Sequence, residues 1–407
     1  MSRPRLCLSL ALLLCLPPSV FACLWDRDTP DSEAKGMPEV VDVLTGRFPR
    51  NPPLYYEMRL ERVSAKLKDH PEDLEAYDDA GVACDRLGRG DEAVAWMEEK
   101  LKRLETLAPS KPEVKEHRYR YHANLGTFLV HRWARQGADR SKLDQVKAAR
   151  DEIAKALEIN PAAHFGREKY QLITLDWLLN PPEVLRYQPL PNILGWSEQF
   201  PLETDNPKEA DDAVRGFAGL VALGNAWESV DVFNTLSVAL QHDTLGFENT
   251  RQGGRNSLAL YAWLRAQELV DAGKSSMLPN APKGEVLKQN LSGPDFANRA
   301  NESTGVFDHL RQEADAWQAA RESYLMNGLK AGRHPDTDPG FWSGYREAPR
   351  PRLPTISQTD AYQADMASRQ RRAGAVVILV PTLCIAAIVL VPRVLRARAR
   401  WRHSRTA

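Results

Sequence analysis

Few residues of this chain could carry out acid–base chemistry. In the less regular part of the sequence, residues 183–340, the only candidates are His242, Asp243, His309 and Asp336. General acid–base catalysis needs such groups within hydrogen-bond reach of one substrate, and the sequence shows no catalytic constellation that would combine them. No Gly-x-Ser-x-Gly elbow occurs. The sequence therefore predicts a protein that is not an enzyme, with an envelope enzyme whose site lies in 183–340 as the alternative.

Metal and phosphate sites are not predicted either. His117 and His122 are five positions apart, which on a helix turns the two side chains about 140° away from each other. The loop 334–338 offers one His and two Asp as ligands, whereas calcium prefers more oxygens. Gly253-Gly254 follows no predicted strand, so it does not form a phosphate-binding loop. We expect neither a metal nor a cofactor.

The five cysteines provide no disulfide framework. Cys7 and Cys15 lie in an apolar leader, and Cys384 lies in an apolar stretch near the other end. Cys23 and Cys84 remain, so a single bridge between them stays open. The spacing of Cys84 places it on the packed face of a helix, where an unreactive core thiol is predicted.

The two ends of the chain predict export and anchoring. Residues 1–22 have arginines, an apolar run and a Val-Phe-Ala ending, which is typical of a signal peptide. With Cys23 this ending also resembles a lipoprotein box, so lipidation of Cys23 is an open alternative, although Phe21 is bulky for such a box. Residues 373–391 are nineteen residues without a charge, followed by arginines, which predicts one transmembrane helix with a cytoplasmic tail.

The elements between these ends are predicted to be helices. Around residues 74–107, Tyr77, Ala80, Gly81 and Cys84 recur at the three- and four-residue spacing of one helical face. Gly88 suits the left-handed end of that helix. A second helix follows, and small residues facing each other let the two backbones pack closely. This stretch therefore predicts a helical hairpin.

The hairpin resembles the tetratricopeptide repeat family. Tyr77, Gly81 and Ala93 fall on positions 4, 8 and 20 of the family's 34-residue pattern. Lys100 stands where the family has alanine, and Pro109 comes four residues late. A second unit is similar to the family over the run 156–161, Ala-Leu-Glu-Ile-Asn-Pro, with an eleven-residue insertion before it. The resemblance covers residues 55–179 and becomes faint afterwards.

The resemblance implies an all-α solenoid whose inner groove binds a partner. In such arrays, fixed positions of the first helix of each unit line the groove. On this chain these positions correspond to Glu75, Asp78, Val82, Asp85 and Arg86 in the first unit, and to Arg120, Ala123, Thr127, Val130 and His131 in the second. The expected ligand is an extended or helical segment of another protein, with a basic flank opposite Asp78 and Asp85.

The predicted organisation follows from these segments. In order it comprises a signal peptide at 1–22, an irregular segment at 23–53, repeats at 54–182, a loop connection at 183–207, a second helical-hairpin region at 208–332, a Pro- and aromatic-rich segment and spacer at 333–372, a transmembrane helix at 373–391 and a basic cytoplasmic tail at 392–407. Trp25 in the irregular segment is expected to dock on the first helix.

The charge distribution narrows the choice of partners. The chain carries 54 basic and 54 acidic residues, but eight of the arginines lie in the acid-free segments 1–22 and 373–407. Residues 23–372 therefore keep 46 basic residues and a net charge of −8. Because such a surface repels polyanions on average, nucleic acid is not an expected partner.

The sequence predicts a membrane-anchored scaffold that binds a protein or peptide on the outer, periplasmic side of the cytoplasmic membrane. A structural envelope protein that self-associates through its helical faces is the other alternative, and a homo-oligomer is compatible with both.

Overall fold

A computed structural model describes residues 24–29, 38–161, 166–185, 188–196, 207–242, 255–293 and 301–351. All of them belong to the first of two compact units, Met1–Leu353, and the second unit is Pro354–Ala407. The predicted signal peptide, Cys23, the predicted transmembrane helix at 373–391 and the tail lie outside the described residues. None of the helices in the described ranges combines the length and the apolar composition needed to cross a bilayer.

The described part of the chain is all-α and contains no strand. Its helices are α1 Val40–Thr45, α2 Pro53–Asp69, α3 Leu74–Arg86, α4 Gly90–Glu105, α5 Pro112–Arg135, α6 Asp144–Ile159, α7 Arg167–Leu179, α8 Pro207–Ala222, α9 Val230–His242, α10 Arg255–Asp271, α11 Gly284–Gln289 and α12 Asn301–Lys330. Short 3₁₀ turns at Arg140–Lys142 and Ala226–Glu228 precede α6 and α9.

The central hairpin forms as its residue types predict. The side chain of Asp73 caps α3 by accepting from the amides of Glu75 and Ala76. Gly88, with a φ of 77°, takes the left-handed conformation that ends the helix. Only three residues separate α3 from α4, so the two helices must run back along each other. Gly81 permits close packing on both α4 and α5, because a Cβ there would lie 3.0 Å from Met97 of α4 and 2.9 Å from the ring of Phe128 of α5.

Successive helices from α2 to α10 contact one another, and α3 also contacts α5. One apolar core lies among α2, α3, α4 and α5, and a larger one extends from α5 to α10. The long helix α12 contacts α1, α2 and α10. It thereby connects the end of the described chain to its first hairpin, an arrangement that the sequence pattern does not predict.

Two short helices were not predicted. All six residues of α1 are buried, and its Val43 and Leu44 are fully inaccessible. A six-residue helix that is covered on all sides presents no amphipathic repeat, so this part of segment 23–53 reads as irregular. The other short helix is α11, within a stretch whose polar composition predicts a loop.

Candidate functional site

The ten predicted groove residues lie on α3 and α5, but most of them are not accessible. Glu75 is exposed, and Arg86 and Arg120 are half-buried. The remaining seven are buried, namely Asp78, Val82, Asp85, Ala123, Thr127, Val130 and His131. The structure therefore places most of the predicted groove beneath other parts of the same chain.

One end of this groove holds the chain's own N-terminal strap, residues 24–29. Asn124 of α5 pairs with the backbone of Trp25, accepting from its amide at 2.7 Å and donating to its carbonyl at 2.9 Å. The Trp25 ring lies edge-on to Tyr119 and under the guanidinium of Arg120, 4.3 Å from the ring centre. Leu24 packs in the same apolar cluster as Val82. Trp25 thus docks on α5 rather than on the first helix.

The two buried acidic groove residues, Asp78 and Asp85, are paired internally. Lys100 donates to both oxygens of Asp78 at 2.6 Å, and both side chains are buried. Asp85 is bound by His131 at 2.8 Å and by Arg135 at 2.6 Å. Burial alone would raise the pKa of Asp85, but these two partners hold it well below its usual range. Neither carboxylate is free to attract the basic flank of a partner.

The strap is held by a buried ion network centred on Arg59 of α2. The Arg59 guanidinium binds Asp26 at 2.8 Å and Asp28 at 2.9 Å, and it binds Asp336 through two bonds of 2.8 and 2.7 Å. Arg27 of the strap pairs with Asp79 of α3. Arg59 has no exposed side-chain surface. One arginine therefore joins the strap, α2 and the segment that follows α12.

The network gives the strap a pH-dependent affinity for its groove. Burial, together with the adjacent Asp28 and Asp79, raises the pKa of Asp26 from 3.8 to about 7, although Arg59 and Arg86 oppose the shift. The stabilisation from protonating Asp26 is complete below its unfolded pKa, and it is lost as the pH rises through about 7. We expect the free energy of unfolding to fall by about 2 kcal/mol between pH 5.5 and 8 through this group.

Urea unfolding of the wild type and of Asp26→Asn at both pH values measures this effect. Asp42 and Asp231 also have pKa values raised to about 6 by burial, so the wild type alone does not isolate Asp26. The difference between the pH slopes of the wild type and Asp26→Asn isolates the contribution of Asp26. Equal pH slopes for the two proteins would show that Asp26 is not protonated in the folded state.

The other end of the predicted groove opens into a cavity of about 420 Å³, which we call the arginine cavity. It lies where the C-terminal ends of α3, α5 and α8 meet the segment before α2. Arg86 and His131, both predicted groove residues, line it. The other liners that bear on ligand binding are Phe48, Arg50, Asn51, Tyr56, Arg135, Trp227 and Glu228.

The positive charges in this cavity exceed the negative ones. Arg50 and Arg86 form no ion pair within the described residues; Arg50 donates to the carbonyl of Gly46, and Arg86 donates to carbonyls after α8 and to Asn225. Burial lowers the pKa of Arg50 to about 10, which leaves it charged at neutral pH. The one acid among the liners, Glu228, is bound to Lys274 at 2.6 Å.

Two buried nitrogens of the lining residues also lack partners. Within the described part of the chain, neither Nε of Arg86 nor Nε2 of His131 has a hydrogen-bond partner. Because Asp85 is ionised and only accepts, Nδ1 of His131 carries the proton of their bond, which leaves Nε2 open. An unsatisfied buried polar atom costs about 1–3 kcal/mol. A bound group with acceptor oxygens would satisfy the arginine nitrogen.

A second cavity of about 520 Å³, the strap cavity, adjoins the first. Strap residues form one wall, and Tyr55, Arg321 and Trp342 line it as well. Neither Arg50 nor Arg321 belongs to a motif in the sequence. Arg50 stands in an irregular segment and Arg321 on an ordinary charged helix face, so no local signal marks them. Only the return of α12 to the first hairpin brings them near Arg86.

The candidate catalytic residues lie in three different surroundings. His242 packs edge-on to Trp196, His309 is exposed on α12, and Asp336 is bound to Arg59. Asp243 lies outside the described residues. In the ranges that the structure describes, no group of three or more His, Cys, Asp or Glu side chains could hold a metal ion.

The one described cysteine, Cys84, lies in the core between α3 and α4. Burial raises the pKa of its thiol to about 12, with a smaller contribution from Glu92. The thiol therefore stays protonated at neutral pH, whereas the thiolate is the reactive form.

Comparisons of this chain with family models, curated proteins and solved structures find no match.

Proposed function

We propose that this protein is a non-catalytic adaptor that binds an anionic segment of a partner protein in the arginine cavity. The observation that carries the proposal is the pair Arg50 and Arg86, two charged side chains that line one cavity without an ion-pair partner in the described structure. In this proposed role the adaptor is exported and is anchored by residues 373–391, with its helical repeats on the periplasmic side of the cytoplasmic membrane.

The chemistry of the cavity favours a carboxylate. A guanidinium presents its N–H groups in a planar fork that matches the two oxygens of a carboxylate. Arg50 is also fixed in place, since its guanidinium lies 4.9 Å from the ring centre of Phe48 and 5.2 Å from that of Trp227. A pre-positioned arginine loses little conformational freedom when it binds.

The size of the cavity restricts the ligand. A volume of about 420 Å³ lies in the range of small-molecule sites and accommodates a short peptide segment. A nucleic acid duplex does not fit such a space, and the net charge of −8 over residues 23–372 opposes long-range attraction of polyanions. The cavity is a local positive site on an acidic protein.

This proposal keeps the sequence-based idea of a groove on α3 and α5 but changes the preferred partner. The strap occupies the end near Arg120, and Asp78 and Asp85 are neutralised from within. The other end of the groove opens into the arginine cavity, whose lining carries more positive than negative charge. The partner segment is therefore acidic, whereas the groove positions alone suggest a basic flank.

Removing one arginine should weaken binding of an acidic ligand. We expect Arg50→Gln to reduce the affinity for N-acetyl-diglutamate by about tenfold, because one charge-assisted contact of about 1.5 kcal/mol or more is lost. Isothermal titration calorimetry measures the change. Arg103→Gln removes an exposed charge from α4, which lines neither cavity, and should leave the affinity unchanged.

Circular dichroism and urea unfolding of Arg50→Gln separate a binding defect from a folding defect. If a folded Arg50→Gln protein bound the peptide as tightly as the wild type, the arginine cavity would not be the ligand site. Crosslinking from native membranes with the same three proteins then identifies the partner, as the protein captured by the wild type and by Arg103→Gln but lost with Arg50→Gln.

A further inference from the structure

We infer that the ligand continues from the arginine cavity into the strap cavity and places a second negative charge at Arg321, so that its class is an extended acidic peptide. The inference rests on the function proposed above and extends it to a second charge position. Its basis is the lining that the two cavities share and the lack of an ion pair at Arg321 within the described residues.

The two cavities are neighbours that share part of their lining, and we call them together the trough. Both are lined by Pro49, Asn51, Tyr56, Arg86 and Ala222. The inferred ligand passes this shared lining on its way from Arg50 and Arg86 into the strap cavity. Arg86 and Asn51 stand at the junction of the two spaces.

Arg321 is the unmatched charge on the wall that α12 contributes. It forms no ion pair within the described residues, and its Nη1 donates to Oδ1 of Asn51 at 3.1 Å. Its guanidinium lies 4.9 Å from the centre of the Trp342 ring. Arg321 is therefore held at the junction in the same way as Arg50, by an aromatic face and one neutral acceptor.

Every carboxylate of the strap cavity is already bound to an arginine. Asp26, Asp28 and Asp336 share Arg59. Asp336 is also bound by Arg62, and Asp338 is bound to Arg333 at 2.6 Å. Within the described residues, the arginines along the trough that form no ion pair are Arg50, Arg86 and Arg321.

A row of such arginines selects a ligand with several negative charges. One carboxylate satisfies one end of the trough and leaves the other end bare. The guanidinium planes, the Asn51 amide and the rings of Tyr56 and Trp342 suit carboxylates and backbone amides spaced along an extended peptide. The two cavities, of about 420 and 520 Å³, are too small for a folded domain, so the segment enters as an extended chain.

Peptides of two lengths test the inference. Isothermal titration calorimetry with N-acetyl-diglutamate and N-acetyl-hexaglutamate compares the wild type, Arg50→Gln, Arg321→Gln and Arg103→Gln. We expect the wild type to bind hexaglutamate at least tenfold more tightly than diglutamate. Arg321→Gln should remove most of that gain and Arg50→Gln should weaken both peptides, while Arg103→Gln should behave as the wild type. The glutamine at 321 retains a donor for Asn51, and urea unfolding checks its fold.

The possible failures are distinct. If Arg50→Gln weakens both peptides but folded Arg321→Gln binds hexaglutamate like the wild type, the extended trough is wrong and the proposed function stands. If Arg50→Gln changes neither affinity, the proposed function fails as well. Tripolyphosphate, which carries charge without a peptide backbone, is added as a competitor. Competition as strong as that of hexaglutamate would overturn the peptide class.

Discussion

Replacing Arg59 by methionine should lower the free energy of unfolding by about 3–5 kcal/mol, the usual loss when one partner of a buried ion pair is removed. The Arg59 side chain is fully buried and binds Asp26, Asp28 and Asp336. Methionine fills much of the same space but leaves these carboxylates without their shared cation. Such a loss is a large fraction of the stability of a typical domain.

The loss should be accompanied by release of the strap. Asp26 and Asp28 belong to the strap, so the bond to Arg59 is its main charged attachment to α2. We expect the backbone amide of Trp25, which donates to Asn124 in the wild type, to exchange with deuterium much faster in Arg59→Met. Hydrogen exchange with mass spectrometry of the N-terminal peptide measures this rate beside urea unfolding.

Lys66→Met is the matched control on the same helix. Lys66 is half exposed and pairs with Asp73 at the surface, where an ion pair contributes little. It should leave both the unfolding curve and the exchange of Trp25 almost unchanged. If Arg59→Met behaved like this control, the network around Arg59 would not hold the strap.

The sequence predicts the regular helices well because their faces repeat. The hairpin predicted around residues 74–107 corresponds to α3, Leu74–Arg86, and α4, Gly90–Glu105. Their apolar residues recur with the period of a helix packed on one side. The buried helix α1 carries no such period and reads as irregular. Periodicity predicts a helix only where one side of it meets solvent.

The candidate site is less predictable because long-range contacts make it. Arg50 and Arg321 are far apart in the chain, and Asn51 connects them only in the folded protein. The predicted groove positions follow from the family resemblance and assume an empty array. They do not show that the strap, ninety-nine residues from Asn124, lies over them. When a segment of the same chain fills a groove, the sequence pattern of the groove positions does not change, so the pattern does not reveal the segment.

Lys100 is the position where the sequence did contain a usable signal. The family that the hairpin resembles has alanine there, a residue small enough for close helix packing. The structure shows why a lysine is accommodated: its ammonium reaches across to Asp78 on α3 and donates to both carboxylate oxygens. A charge at a core position implies a partner of opposite charge on the facing helix, and Asp78 lies there.

A second large loss of stability is therefore expected when the ion pair between Lys100 and Asp78 is broken. Lys100→Met should lower the free energy of unfolding by about 3–5 kcal/mol, because it leaves the fully buried Asp78 without its cation. Asn124 also donates to Asp78, at 3.1 Å, but one neutral donor does not replace an ammonium. Urea unfolding of Lys100→Met measures the loss, and Lys102→Met, at an exposed position of α4, is the control and should not change the curve.

The double variant Asp78→Asn with Lys100→Met distinguishes a buried charge from lost packing. Asparagine keeps the shape of Asp78 and a group that still accepts from Asn124, but carries no charge that needs neutralising. We expect the double variant to recover most of the stability lost in Lys100→Met, since removing both charges of a buried pair is often close to neutral. If the double variant were as unstable as the single one, the effect of Lys100 would come from the packing of its methylene chain and not from the buried charge of Asp78.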